Sequence, residues 1–220
     1  MISKDATRRI EIAIGELKQV LTTNDAATFE DTTFQDVWRS VEVLQKVQSQ
    51  SGSVQNIQHI EPFLKALQNY SAVLETTCDD TLYLSWLWAP IKLMLQLAAD
   101  DENAFETLID AYKQIEESMP QFRGITDSYH SGENFQAVMS LTYKDILEFH
   151  RATYELFRQQ AWHLLFDSLW KDFQFRFNGI LKKLAQQRKL LIKPTFINLL
   201  EAEESRSRRE EYVRRQEKME

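Results

Sequence analysis

Apolar positions along this chain recur at helical spacing for most of its length. Ile10, Ile14, Leu17 and Leu21 are separated by four, three and four residues, which puts them on one side of a first helix. Asn24–Asp31 is polar and reads as a connection. Thr33, with Asp36 three positions on, marks the start of a second helix, although Glu or Gln at that place would make a better capping box. Phe34, Trp38, Val41 or Val43, Leu44 and Val47 supply its apolar stripe. Gln48–Gln55, QSQSGSVQ, has the composition of a linker. A third helix is predicted over Ile57–Thr76, with Phe63, Leu64, Leu67, Tyr70 and Leu74 facing inward. Pro62 lies near its start, where a missing N–H matters least.

Leu82–Ala99, LYLSWLWAPIKLMLQLAA, breaks the amphipathic pattern because it is apolar nearly all the way round. A helix without a polar face must be buried on all sides, by protein or by lipid. Lys92 near its middle and the acidic pairs Asp79–Asp80 and Asp100–Asp101 at its ends argue against a membrane span. The expectation is a buried core helix, kinked or restarted at Pro90. A further helix follows over Asn103–Met119, and Thr126–Asn134 reads as a loop. Phe135–Gln159 forms one long helix. The next presents Trp162, Phe166, Leu169, Phe173, Phe177, Ile180 and Leu184 as a stripe of large knobs, until Pro194 interrupts the pattern. No strand-like alternation is convincing. The predicted fold is all-α, a multi-helix bundle of long amphipathic helices around one central apolar helix. Residues 1–195 form the bundle, and 196–220 form a charged helical linker or tail.

Composition sharpens this picture. Only 5 Gly and 4 Pro occur in 220 residues, which suits long helices joined by few turns. The net charge of −7 opposes general nucleic-acid binding. Cys78 is the sole cysteine, so no intramolecular disulfide forms and a reducing compartment is expected. MISKDATRRIEI lacks a secretory apolar run, and Ile2 stands where myristoylation needs Gly. These features point to a cytoplasmic chain.

Reactive constellations are not evident in the sequence. His59, His130, His150 and His163 have no ligand spacing; Glu148 and His150 are two apart and fall on different helix faces. His163 and Asp167, four apart, read as a surface ion pair. Cys78 reads as a structural thiol. Nucleophile-elbow, Walker and dinucleotide motifs do not occur. No catalytic, cofactor-binding or metal-binding residue is therefore predicted, and the chain is read as a non-enzyme. Charge is uneven, however. Asp100, Asp101, Glu102, Glu106, Asp110, Glu116 and Glu117 stand against Lys113 alone. Lys171, Arg176, Lys182, Lys183, Arg188, Lys189 and Lys193 stand against Asp172 alone. Such runs read first as two solvated faces with no dedicated partner; the alternatives are attraction to each other within the bundle or between copies, or to another partner, including acidic lipid.

The phrase LSWLWAPIKLMLQLAADDENAFETLIDAYKQIEESMPQF, Leu84–Phe122, resembles the helical domain at the N-terminus of many fungal NACHT and ankyrin-repeat proteins. These are NLR-like receptors of the STAND class. Members show a similar aliphatic-Trp-x-Pro/Ala-Ile/Val-Lys segment. A preceding helix matches FLKALQNYSAVLETT (Phe63–Thr77), and following helices match YKDILEFH (Tyr143–His150) and WKDFQFRF (Trp170–Phe177). The similarity runs over Phe63–Leu191.

The resemblance implies a signalling or effector module, controlled by a nucleotide-binding oligomerisation domain elsewhere in a full-length chain. It would act by self-association or by docking another signalling protein. The alternative is a membrane-acting cell-death executioner whose bundle opens to insert helices. Related pore-forming domains begin with a glycine-rich apolar helix, whereas Met1–Arg9 here is polar. Trp86, Trp88, Ile91, Leu95, Trp162, Phe166, Trp170 and Phe173 are expected to build the core. Lys182, Lys183, Arg188, Lys189 and Lys193 are expected to meet the partner or an acidic membrane.

Overall fold

The computed structural model describes residues 2–50, 57–78, 82–122 and 132–192. Among these, every regular element is helical: α1 (Lys4–Val20), α2 (Thr23–Ala27), α3 (Phe34–Gln50), a 3-10 turn (Ile57–Ile60), α4 (Glu61–Thr77), α5 (Leu82–Ala98), α6 (Glu102–Ser118), α7 (Glu133–Phe157) and α8 (Trp162–Ile192). They pack as one bundle, as the periodicity predicts. Side-chain caps set several starts by satisfying N–H groups that have no partner in the first turn. Ser3 accepts from Ala6 N–H, Thr22 from Asp25 N–H and Asp101 from Ala104 N–H. Ahead of α3, Thr33 and Asp36 cap reciprocally: Thr33 N–H donates to Asp36 Oδ2 at 2.9 Å and Asp36 N–H to Thr33 Oγ1 at 3.4 Å. Asp reaches far enough to complete this box.

Some expectations shift in detail. The connection at Asn24–Asp31 contains the short helix α2 and, just after it, Phe29, which is fully buried with its ring 4.9 Å from Trp86. On α3 the inward positions are Val37 and Val41, while Val43 is exposed. Gln48–Gln50 of the expected linker still belong to α3, and the loop expected at Thr126–Asn134 ends earlier because Glu133 and Asn134 open α7. Helix α5 runs unbroken through Pro90, so there is no restart. Proline there removes one helix bond to Trp86 C=O, an interior cost of about 3 kcal/mol. Burial of Trp86, Leu87, Trp88 and Ile91 around it offsets that cost. Asp79, Asp80, Ser51–Gln55, Thr126–Ser131, His130, Pro194 and residues 196–220 lie outside the described residues.

The centre of the bundle is shared. Helix α5 buries eleven of its 17 residues; Ser85, Lys92 and Gln96 line one exposed or half-exposed strip, and Leu82, Leu84 and Leu97 are the other positions not fully buried. Helix α7, less apolar, buries 17 of its 25. It packs against α1, α5 and α8, and α6 bridges α4, α5 and α8. The buried phenols of α4 and α7 end on backbone carbonyls: Tyr70 Oη donates to Met139 O at 2.7 Å and Tyr143 Oη to Tyr83 O at 2.8 Å. An aromatic chain crosses four helices, from Phe63 stacked on Tyr112 to Phe149 and Phe177. Of the expected core residues all are buried except Trp170, which is half-buried and packs on Phe166 and Phe173. No described helix is long and apolar enough to cross a membrane.

Helices α7 and α8 are joined by a tight turn at Arg158–Ala161. Ala161 sits there at φ 56°, in the left-handed region that favours glycine. The turn sends α8 back along α7 for 31 residues.

Candidate interaction surface

Helix α8 carries the basic residues singled out by the sequence, and its helical geometry divides them between two directions. Its inner stripe, Trp162, Phe166, Phe173, Phe177, Ile180 and Leu184, is buried against the core. Beside that stripe, three cations turn toward neighbouring helices. Lys183 Nζ lies 3.1 Å from Glu148 Oε2 and 3.7 Å from Asp145 Oδ1. Arg176 reaches Glu155 at 3.3 Å and Glu148 at 3.8 Å. Arg188 donates to the carbonyl oxygen of Glu117. The basic helix therefore pairs two of its cations, Arg176 and Lys183, with acids of α7. The acidic run of α6 meets it through one backbone carbonyl and through Asn103, which donates to Asp167 at 2.7 Å. That bond engages Asp167, so the ion pair expected between His163 and Asp167 does not form; the His163 ring instead lies against Trp162 at 3.7 Å.

The other basic residues face away. Leu164, Ser168, Lys171, Phe175, Lys182, Gln186 and Lys189 fall on one outward line at 3.6 residues per turn, and all are exposed. Leu164 is 86% and Phe175 90% exposed, which is unusual for side chains of their size. Lys182 and Lys189 thus belong to a free surface, whereas Lys183 and Arg188 are held inside the bundle's own network. Lys193 lies outside the described residues. On α6, Glu102, Glu106, Asp110, Lys113 and Glu117 form a second exposed face, mostly acidic.

Behind the α7–α8 seam lies a buried polar cluster. Gln187 Nε2 donates to Asp145 Oδ2 at 2.5 Å, and Thr142 Oγ1 donates to Gln187 Oε1 at 3.0 Å. Burial raises the Asp145 carboxyl above its ordinary value; the Gln187 bond and the Lys183 charge oppose that rise. Deeper still, His150 is completely buried with Nε2 3.2 Å from Tyr112 Oη. Burial lowers its pKa to about 3, so the ring is neutral at ordinary pH. The Ile146 carbonyl, one turn back, opposes this without outweighing it, and Nδ1 makes no hydrogen bond of normal geometry. Burial also pushes the Tyr70, Tyr112 and Tyr143 phenols well above their usual range.

Several of these groups bond across helix–helix contacts. Cys78 is likewise buried. No three His, Cys, Asp or Glu side chains among the described residues come together to hold a metal. An open cleft of about 440 Å³ lies between α3, α4 and α5, lined in part by Thr32, Phe34, Gln68, Ser85 and Trp88. Glu75 is its one titratable lining residue, so it offers no acid–base pair.

Sequence reasoning missed the exposed Leu164 and Phe175, which stand off the apolar stripe and therefore left no periodic signal. It also missed Gln187, whose amide is indistinguishable from a surface one until α7 is placed beside it. The family described as a domain of unknown function (DUF7708) matches residues 58–194, and the chain belongs to that family. No curated protein and no solved structure matches the chain.

Proposed function

We propose that this chain, as a member of the DUF7708 family, is a non-enzymatic signalling or effector module of a fungal NLR-like receptor of the STAND class. It works by self-association, or by docking another signalling protein, once its parent receptor clusters in the cytoplasm. The nucleotide-binding domain belongs to the full-length chain, and this module needs no cofactor.

The observation that carries the reading is the contrast between buried and exposed chemistry. Asp145, His150 and the buried tyrosines are taken up by helix-to-helix bonds, while unpartnered charge and protruding apolar groups face outward on α8. The resemblance at Leu84–Phe122 supports the receptor context. Its Trp86 and Pro90 lie in the core of α5, so the motif is a packing signature rather than a site. Clustering makes weak surfaces count, because tethering raises their effective concentration to the millimolar range for short linkers.

Sedimentation velocity over a range of concentrations tests this, with the chain free and fused to a trimerising coiled coil. The expected result is weak association of the free chain and recruitment of free chain by the trimer. A strictly monomeric chain that the trimer does not recruit would remove the self-association arm. Failure of the trimer to capture any partner from a fungal extract as well would remove the proposal.

A further inference from the structure

We propose that the outward line of α8 lies on an acidic lipid surface, with Leu164 and Phe175 entering the headgroup boundary and Lys171, Lys182 and Lys189 facing the anionic plane. The bundle stays closed in this contact, which is independent of self-association.

Four of the seven large apolar side chains exposed among the described residues belong to α8; Leu164 and Phe175 stand on the outward line, whereas Leu165 and Leu190 point well to one side of it. The three lysines share their line and have no described acidic partner, while Arg176, Lys183 and Arg188 beside them do have intramolecular partners. Asp172 sits to one side of the line, and Asp167 is held by Asn103. The strip is therefore cationic where it faces outward, although the whole chain carries −7. Charge complementarity selects an anionic surface.

The spacing selects lipid over protein. Leu164 and Phe175 stand about 16 Å apart along the helix at 1.5 Å per residue, with Ser168 and Lys171 between them. Isolated knobs of this kind do not make the contiguous buried centre that anchors a protein interface. The α6 face of a second copy offers acids but no apolar group to cover them. A lipid boundary moulds itself to separate side chains and supplies both apolar depth and negative charge. Lys18, by contrast, shows how a cation is used within the bundle, lying 4.7 Å over the Trp86 ring.

The test is co-sedimentation of the full chain with phosphatidylcholine vesicles, with and without phosphatidylserine. Binding is expected only with phosphatidylserine, and it should weaken as salt rises. Each lysine near such a surface is worth roughly fivefold, so Lys171→Gln, Lys182→Gln and Lys189→Gln together should weaken binding about a hundredfold. Leu164→Ser with Phe175→Ser should weaken it at least about tenfold while keeping the salt dependence. All five positions are exposed, and an unchanged melting curve would show that each variant is folded. Equal binding to both vesicle types, no binding to either, or triple-variant binding equal to the parent would overturn the proposal. So would loss of self-association by the triple variant together with undiminished vesicle binding, which would assign the strip to a second copy.

Discussion

Gln187 on α8 donates to Asp145 on α7 through a 2.5 Å hydrogen bond, and both residues are buried. This bond fixes the register of the two longest helices at the point where Lys183 closes over the carboxylate from outside. The seam is thus specified by polar pairing as well as by the phenylalanine stripe. Gln187→Leu would leave a buried carboxylate without its amide donor, and hydrogen bonds to charged groups contribute about 1.5–3 kcal/mol. Chemical denaturation should show destabilisation of about 2 kcal/mol, and less when Asp145→Asn is also present.

Asp145 also has a pH signature. Burial raises its folded pKa above the ordinary 3.8. The folded state then binds the proton more readily than the unfolded state, so this group's contribution to stability falls as pH rises from about that value through the folded pKa. Subtracting the stability of Asp145→Asn from that of the parent across pH 4 to 7 should expose the falling component, with the range set roughly by this linkage. A difference that stays flat would show the carboxyl to be unperturbed.

His150 acts with the opposite sign. Its folded pKa of about 3 lies below the ordinary 6.5, so the unfolded state takes up the proton first. Stability is unaffected above the ordinary value and declines as pH falls through it toward the folded value. His150→Phe should cost about 1–3 kcal/mol at neutral pH, because Tyr112 loses its partner, yet should flatten the acid limb. Urea titrations at neutral and mildly acidic pH measure both effects.

Phe29 provides a packing test. It is fully buried against Trp86, so Phe29→Ala should cost about 3–5 kcal/mol. Leu164→Ala, at a position 86% exposed, should change stability by less than about 0.5 kcal/mol. Similar losses at the two sites would mean that α2 and the segment after it do not dock on α5 in solution.

The α7–α8 turn makes a prediction in the stabilising direction. Ala161 at φ 56° bears the left-handed penalty that glycine avoids. Ala161→Gly should leave stability unchanged or raise it by up to about 1 kcal/mol, measured as a shift in the denaturation midpoint.

Helical periodicity revealed the fold because each long helix has one buried side, and side chains such as Phe63, Leu67 and Phe173 recur at that spacing. Hydropathy singled out α5 but not α7, which is buried to a similar extent. Gln136, Ser140, Thr142, Asp145, His150 and Thr153 lower its apolar character, and the burial of all but Thr153 draws on hydrogen bonds with distant residues. Thr153 returns its hydroxyl to the Phe149 carbonyl one turn back, a local bond that hydropathy does not register. Phe29 was hidden for a related reason: its neighbours are polar, and only the return of the chain onto α5 buries it. The basic face was legible as a charge imbalance. Which of its cations face outward was not, because Lys182 and Lys183 are adjacent in sequence and differ only in whether α7 presents an acid.

The most direct test of the account is to fuse the chain to a drug-inducible oligomeriser in fungal cells and follow an untethered fluorescent copy together with cell viability. Contact-driven signalling predicts that adding the drug draws the untethered copy into clusters or elicits a cellular response, with no substrate added. Clusters that recruit nothing and change nothing, despite a correctly folded domain, would contradict it.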